Sequence, residues 1–212
     1  MLKGIIFDFD GTLAETNTLI LKSLEKTFME LFGSYTDEQL LDCIGPPLME
    51  TGKKLLPENP ELFVETYRKY QFDLHDDMIT VYPGVMEMLD KLHQMDLKLA
   101  IVTSKRRDAF LKGLRKLEME KYFHATIAED DVTHHKPHPE SMNLVLSQLG
   151  LTADECIMVG DNYHDILAAQ AVGMKSVAVG WAIKGLDFLK TYNPDFVMHE
   201  AADLFEIIEK FN

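Results

Sequence analysis

Asp8 and Asp10, in Asp8-Phe9-Asp10-Gly11-Thr12, close an apolar run that begins at Lys3. Two carboxylates two residues apart point to one face while the chain is extended, and can splay around a common centre once it turns. Gly11 has no side chain, so backbone N–H groups there can approach an anion closely. An acidic turn closing a strand fits the same residues, because Asp and Gly favour turns. A calcium loop fits less well: the third ligand before the glycine and the glutamate at the twelfth position are missing. Asp161 and Asp165 form a second pair, in Gly160-Asp161-Asn162-Tyr163-His164-Asp165, after another apolar run. Four apart, they share a face if a helix has begun at Asp161. Helix capping accounts for one aspartate but not for two. Four carboxylates at two strand ends would repel one another unless a divalent cation sat among them. An all-oxygen set with room for water and phosphate suits Mg²⁺.

Other polar residues follow at comparable places. The Thr103 hydroxyl, with Ser104 beside it, ends a third apolar run; it can donate to a phosphate oxygen or cap a helix starting near Arg106. Lys136 lies in His134-His135-Lys136-Pro137-His138-Pro139-Glu140, where a lone lysine is ordinarily a solvated charge. The three histidines have no matched metal partner elsewhere in the sequence and read as solvated loop residues. Gly45 to Lys53 is no P-loop, since the glycine spacing is too long and two prolines remove backbone donors. There is no Gly-x-Ser-x-Gly and no Cys/His arrangement, so serine or cysteine hydrolase chemistry has little support.

The elements that must position these residues alternate. Buried strands are expected at Lys3–Phe9, Leu97–Thr103, Cys156–Gly160 and Lys175–Gly180, with weaker ones at Ala125–Ala128 and Asp195–Met198. Helices are expected at Val85–Met95, Arg107–Glu118, Pro139–Leu149, Ile166–Val172 and Ala201–Lys210. The alternation implies an α/β fold, a Rossmann-like parallel sheet with helices on both faces. Open sheets of this kind place ligands beyond the carboxyl ends of their strands, where Asp8 falls. From Glu15 to Thr80 only helical periodicity remains, with stripes Leu21, Leu24, Phe28, Leu31 and Leu62, Phe63, Thr66, Tyr67, Tyr70. The expected organisation is a core of residues 1–14 and 81–212 carrying an inserted helical cap, 15–80, with hinges at Ala14–Asn17 and Thr80–Gly84.

Composition narrows the partners. The 212 residues carry a formal charge of −14, which disfavours nucleic acid and anionic membrane surfaces, both of which need clustered Lys and Arg. Cys43 and Cys156 fit no metal spacing, and free thiols in a reducing compartment are expected. The amino terminus is too acidic for a signal peptide and no apolar stretch spans a bilayer, so the expected location is the cytoplasm.

Taken in order, Asp8-Phe9-Asp10-Gly11-Thr12-Leu13, Thr103, Lys136 and the Asp161/Asp165 pair resemble the four motifs of the haloacid dehalogenase-like (HAD) phosphohydrolases. Any one motif is weak; four in order are specific, and the resemblance covers the whole chain, helical insertion included. Within that superfamily the chain is most similar to bacterial cytosolic HAD-type inorganic pyrophosphatases related to phosphoglycolate phosphatases. The similarity rests on Ile44-Gly45-Pro46-Pro47-Leu48, Tyr67-Arg68, Met158 to Asp165, and Trp181-Ala182-Ile183-Lys184-Gly185.

The resemblance implies a mechanism. Asp8 attacks phosphorus and forms an aspartyl-phosphate, while Asp10 protonates the leaving oxygen and later takes a proton from water. Mg²⁺ is held by Asp8, the Asp10 carbonyl and Asp161, with Asp165 orienting Lys136 or a metal-bound water. Thr103, Lys136 and the backbone near Gly11 and Thr12 hold phosphate oxygens, with Ser104 beside them. Gly45 and Arg68 are the substrate contacts expected in the cap, and Lys53 and Lys54 are further cations there. Inorganic pyrophosphate is the expected substrate. A small monoester such as phosphoglycolate, or a phosphoserine on a carrier protein, is the alternative within the class. A non-catalytic phosphate-binding module is the alternative outside it.

Overall fold

The apolar run leading to Asp8 becomes an interior strand of a six-stranded sheet. In the computed structural model, which describes residues 1–211, this strand is β1 (Gly4–Phe7), buried along its whole length. The other strands are β2 (Ala14–Glu15), β3 (Thr80–Val81), β4 (Lys98–Val102), β5 (Ala125–Ile127), β6 (Cys156–Gly160), β7 (Lys175–Val179) and β8 (Phe196–Met198). The large sheet is parallel, in the order β5-β4-β1-β6-β7-β8. Covered on both faces, its strands read as continuous apolar runs rather than alternating ones.

Helices α1 (Asn17–Phe32), α2 (Asp37–Asp42), α3 (Leu48–Leu55) and α4 (Pro60–Met78) precede β3. They are followed by α5 (Val85–His93), α6 (Arg107–Lys116), α7 (Glu140–Leu149), α8 (Tyr163–Ala171), α9 (Leu186–Lys190) and α10 (Asp203–Phe211). Ile6, Ala100 and Met158, aligned across three neighbouring strands, pack with Met142 and Val145 of α7 and Ala168 of α8 in one core cluster. The chain runs outward from β1 through β4 to β5, then crosses back to lay β6, β7 and β8 on the other side. Strand order therefore reverses at β1 and β6, the place where such sheets open a crevice for ligands.

Register fixes what reaches that crevice. Phe7 pairs with Ile101 on one side and Val159 on the other, so Asp8 stands level with Val102 and Gly160. Thr103 and Asp161 follow one residue later.

The chain divides into two compact units, Met1–Glu15 with the chain from Thr80 onward, and Thr16–Ile79. Glu15 and Thr80 pair with each other in a short antiparallel ribbon of β2 and β3, which is why both fall in the first unit. Runs of two residues carry no readable periodicity, so this ribbon was not expected. In the second unit α1 and α4 pack together, with the Phe28 and Phe63 rings edge to face at 6.2 Å. The buried face of α1 differs from the expected stripe: Leu19, Ser23, Leu24, Thr27 and Phe28 are buried, while Leu21 and Leu31 are only partly so. Ser23 and Thr27 can turn inward because each hydroxyl donates to the carbonyl four residues back, at 2.7 Å. On α4, Leu62 is 41% exposed and lies outside the packed face.

Three further details differ from expectation. Pro139 stands just before α7 as its cap, α8 starts at Tyr163 rather than Ile166, and the five-residue α9 has no sequence counterpart among the expected helices.

Phe110 of α6 is fully buried, and its ring meets that of Phe9, between the two aspartates, edge to face at 5.2 Å. Phe110→Ala is expected to lower stability by about 3–5 kcal/mol in urea denaturation. A loss below about 1 kcal/mol would show that this ring does not anchor the Asp8–Asp10 segment.

Candidate active site

Asp8 leaves the sheet with its N–H still bonded to the Val159 carbonyl at 2.9 Å, and its Oδ1 accepts from the Phe9 N–H at 2.7 Å. The backbone thus sets both the position and the rotamer of this carboxylate. Lys136 reaches it from the loop before α7. Its Nζ is 3.4 Å from Asp8 Oδ1, 2.6 Å from Asp165 Oδ1 and 3.0 Å from the Val102 carbonyl. Lys136 is 6% exposed, so the usual fate of a loop lysine does not apply. Glu140, the first residue of α7, closes the loop by accepting from the N–H groups of Thr133 and His134 at 2.8 and 2.9 Å.

Asp161 precedes α8 rather than lying on it: Asn162 is the N-cap, and Asp165 completes the capping box by accepting from the Asn162 N–H at 3.0 Å. The shared helical face expected for Asp161 and Asp165 is therefore absent, and the bend at Asp161 and Asn162, between the end of β6 and α8, brings them together instead. A β-carbon on Gly160 would lie 2.3 Å from Asp165 Oδ2, and one on Gly11 would lie 2.2 Å from Asp161 Oδ2. Gly11 contributes space, since its own N–H is used by the Ala14 carbonyl at 2.9 Å. Thr12 donates from Oγ1 to Asp161 Oδ1 at 3.3 Å. Thr103 is buried and caps no helix; its Oγ1 accepts from the Lys105 N–H at 3.1 Å, with Ser104 half-buried at the bend between them.

Asp8, Asp161 and Asp165 each offer an oxygen within 4.8 Å of the others; Asp161 and Asp165 are buried and Asp8 is nearly so. Burial raises the Asp8 carboxyl from 3.8 to about 7 against the pull of Lys136, and the charges of Asp165 and Asp10 add to the rise. Burial likewise raises Asp161, followed by the charges of Asp8 and Asp165. Burial alone would lower the Lys136 ammonium, but Asp165 and Asp8 together hold it above its ordinary value. Both Asp165 oxygens are already taken, by Lys136 and by Asn162, which suits a residue that positions the lysine. Asp8 and Asp161 are the carboxylates whose chemistry and burial fit a hard divalent cation such as Mg²⁺.

One residue was missed by the sequence reading. Lys105, two beyond Thr103, pairs with Asp10 Oδ1 at 2.6 Å with its side chain almost buried. Its place just past a strand end was the available signal. Gly45 and Arg68 belong to the second unit, where Gly45 adopts a φ of 111° between α2 and α3 and Arg68 is half-buried on α4. Neither Cys43 nor Cys156 forms a disulfide, and no helix among the described residues is long and apolar enough to cross a membrane.

A family model described as haloacid dehalogenase-like hydrolase matches residues 5–179, from β1 to β7. The chain belongs to the haloacid dehalogenase-like hydrolases. Among its relatives in this family, Pyrophosphatase PpaX of Halalkalibacterium halodurans is 42% identical over 98% of this chain and 97% of its own length. Pyrophosphatase PpaX of Bacillus pumilus is 41% identical over 98% of this chain and 96% of its own. A haloacid dehalogenase-like protein from Streptococcus pneumoniae shares the fold, with a TM-score of 0.87, 24% identity and 98% of each chain covered.

The raised carboxyls give a signed expectation for the metal-free protein. A carboxyl that holds its proton more tightly when folded costs stability as pH rises from its ordinary value, 3.8, toward about 7. EDTA-treated protein should therefore lose stability across that window. Asp161→Asn removes one of the clustered charges while keeping an oxygen for Thr12. Its EDTA-treated form should melt roughly 2–4 °C or more above EDTA-treated wild type at neutral pH. Mg²⁺ should raise the melting temperature of wild type and leave that of Asp161→Asn nearly unchanged. An Asp161→Asn variant melting below wild type would contradict this account of the cluster.

Proposed function

We propose that this hydrolase is a Mg²⁺-dependent phosphohydrolase that works through an aspartyl-phosphate on Asp8, with inorganic pyrophosphate as its substrate. The observation that carries the reading is the setting of Asp8. It is a carboxylate fixed by the backbone at a strand end, beside a buried ammonium group and a second buried carboxylate. Asp8 and Asp161, with the Asp10 carbonyl, would hold Mg²⁺, which when bound offsets the repulsion between these carboxylates and an incoming phosphate.

An Asp8 oxygen attacks phosphorus, and the bond to the leaving oxygen breaks, leaving a mixed anhydride on the side chain. Lys136, with the Thr103 hydroxyl as a neutral donor, faces the charge that spreads over the phosphoryl oxygens. Water then attacks phosphorus, Asp10 takes its proton, and the Asp8 carboxylate is restored together with inorganic phosphate. Lys105 Nζ, 2.6 Å from Asp10 Oδ1, fixes where that carboxylate stands for the second step. A leaving phosphate departs as a stable anion and asks less of a general acid than an alkoxide does. That difference, with the two relatives named Pyrophosphatase, favours pyrophosphate over a monoester.

Turnover of pyrophosphate, phosphoglycolate and a phosphoserine peptide in Mg²⁺ tests the substrate. The expected result is the highest kcat/KM for pyrophosphate, and a much faster phosphoglycolate reaction overturns the substrate assignment. Asp8→Asn should abolish turnover of all three while the protein stays folded. Unchanged hydrolysis in that variant rules out the covalent step, whichever substrate is preferred. EDTA should abolish activity and added Mg²⁺ restore it.

A further inference from the structure

A second group of metal-type donors lies on the loop that carries Lys136. His134, His138 and Glu140 each offer one donor atom, and these atoms lie within 4.8 Å of one another. His134 Nδ1 is 2.9 Å from Glu140 Oε2, and the rings of His134 and His138 lie side by side, 4.5 Å between centroids and inclined by 33°. The two histidines are exposed and Glu140 is half-buried. The sequence alone gave these histidines no partner; folding supplies one in Glu140.

The carboxylate is already aimed. Its Oε1 accepts from the Thr133 N–H and its Oε2 from the His134 N–H, the kind of outer support that orients ligand carboxylates at metal sites. These backbone bonds, with the His134 ring, hold the Glu140 carboxyl at about 2, so it is available as an anion. Pro137 and Pro139 restrict the backbone on both sides of His138.

We propose that His134, His138 and Glu140 form a surface site for a zinc-like divalent transition-metal ion, separate from the buried carboxylate cluster. Two imidazole nitrogens and one carboxylate oxygen, with a fourth position open to water, make a donor set that Zn²⁺ accepts. Mg²⁺ prefers oxygen donors and water, so the same residues select against it. Bonds of about 2.0–2.1 Å place tetrahedral donors roughly 3.3 Å apart, a separation that small rotations of two exposed imidazoles can reach. The ion takes the place of the direct contact between His134 Nδ1 and Glu140 Oε2. His138 gives up only a long contact, 3.3 Å from its Nδ1 to the Glu140 N–H. An ion held there ties the loop on both sides of Lys136 to the first turn of α7.

The test is calorimetric titration of Zn²⁺ into the full chain in excess Mg²⁺, which keeps the Asp8–Asp161 cluster occupied. One Zn²⁺ per chain is expected for wild type and for Asp161→Asn, and affinity should fall roughly tenfold or more in the double variant H134A/H138A. Both histidines are exposed, and an unchanged melting temperature without Zn²⁺ confirms that the double variant folds. X-ray absorption at the zinc edge should show imidazole scattering in wild type. Equal Zn²⁺ affinity in wild type and H134A/H138A, no binding in wild type, or an edge spectrum without imidazole overturns the proposal.

Discussion

One ammonium group ties together the parts of the candidate site that come from different strands. Lys136 Nζ contacts the Val102 carbonyl at the end of β4, Asp8 at the end of β1 and Asp165 beyond β6. A charge buried this deeply is tolerated only when paired and hydrogen-bonded on several sides. The demand runs both ways. Asp8 and Asp165 can share a dry pocket because a cation lies between them, and the cation can be dry because they surround it. Around this contact the glycines at 11 and 160 give way sterically, letting Asp161 and Asp165 approach distances that a β-carbon would forbid.

The same contact explains why the carboxylates are set unequally. Asp165 has both oxygens bonded and is committed to the lysine, whereas Asp8 meets the Phe9 N–H and a more distant lysine through Oδ1, and Asp161 is met by the Thr12 hydroxyl. Three acids of one type therefore carry three different burdens, assigned by what surrounds each rather than by spacing in the chain. Asp10 is set apart again by its own lysine, Lys105.

Much of this was legible beforehand, for physical reasons. Buried parallel strands announce themselves as short apolar runs, so β1, β4, β6 and β7 were placed to within a residue or two at each end. Residues just past those runs had to emerge at one edge, which is why Asp8, Thr103 and Asp161 could be grouped. What failed depended on contacts that a one-dimensional pattern does not carry. The burial of Lys136 follows from partners 29 and 34 residues away. The pairing of Lys105 with Asp10 spans 95 residues. The buried face of α1 was misread because Ser23 and Thr27 satisfy their hydroxyls within the helix and so behave as apolar residues.

The ribbon of β2 and β3 bears on how such a chain can be assembled. Glu15 and Thr80 are direct neighbours although the whole second unit lies between them in sequence. From the standpoint of the sheet, the chain makes a hairpin whose turn happens to be a folded body. The entropy of closing a loop grows only with the logarithm of its length, so the sheet is nearly indifferent to the size of what is spliced in there. A splice point of that kind lets the inserted unit be lengthened, trimmed or exchanged while the strands behind Asp8 keep their register.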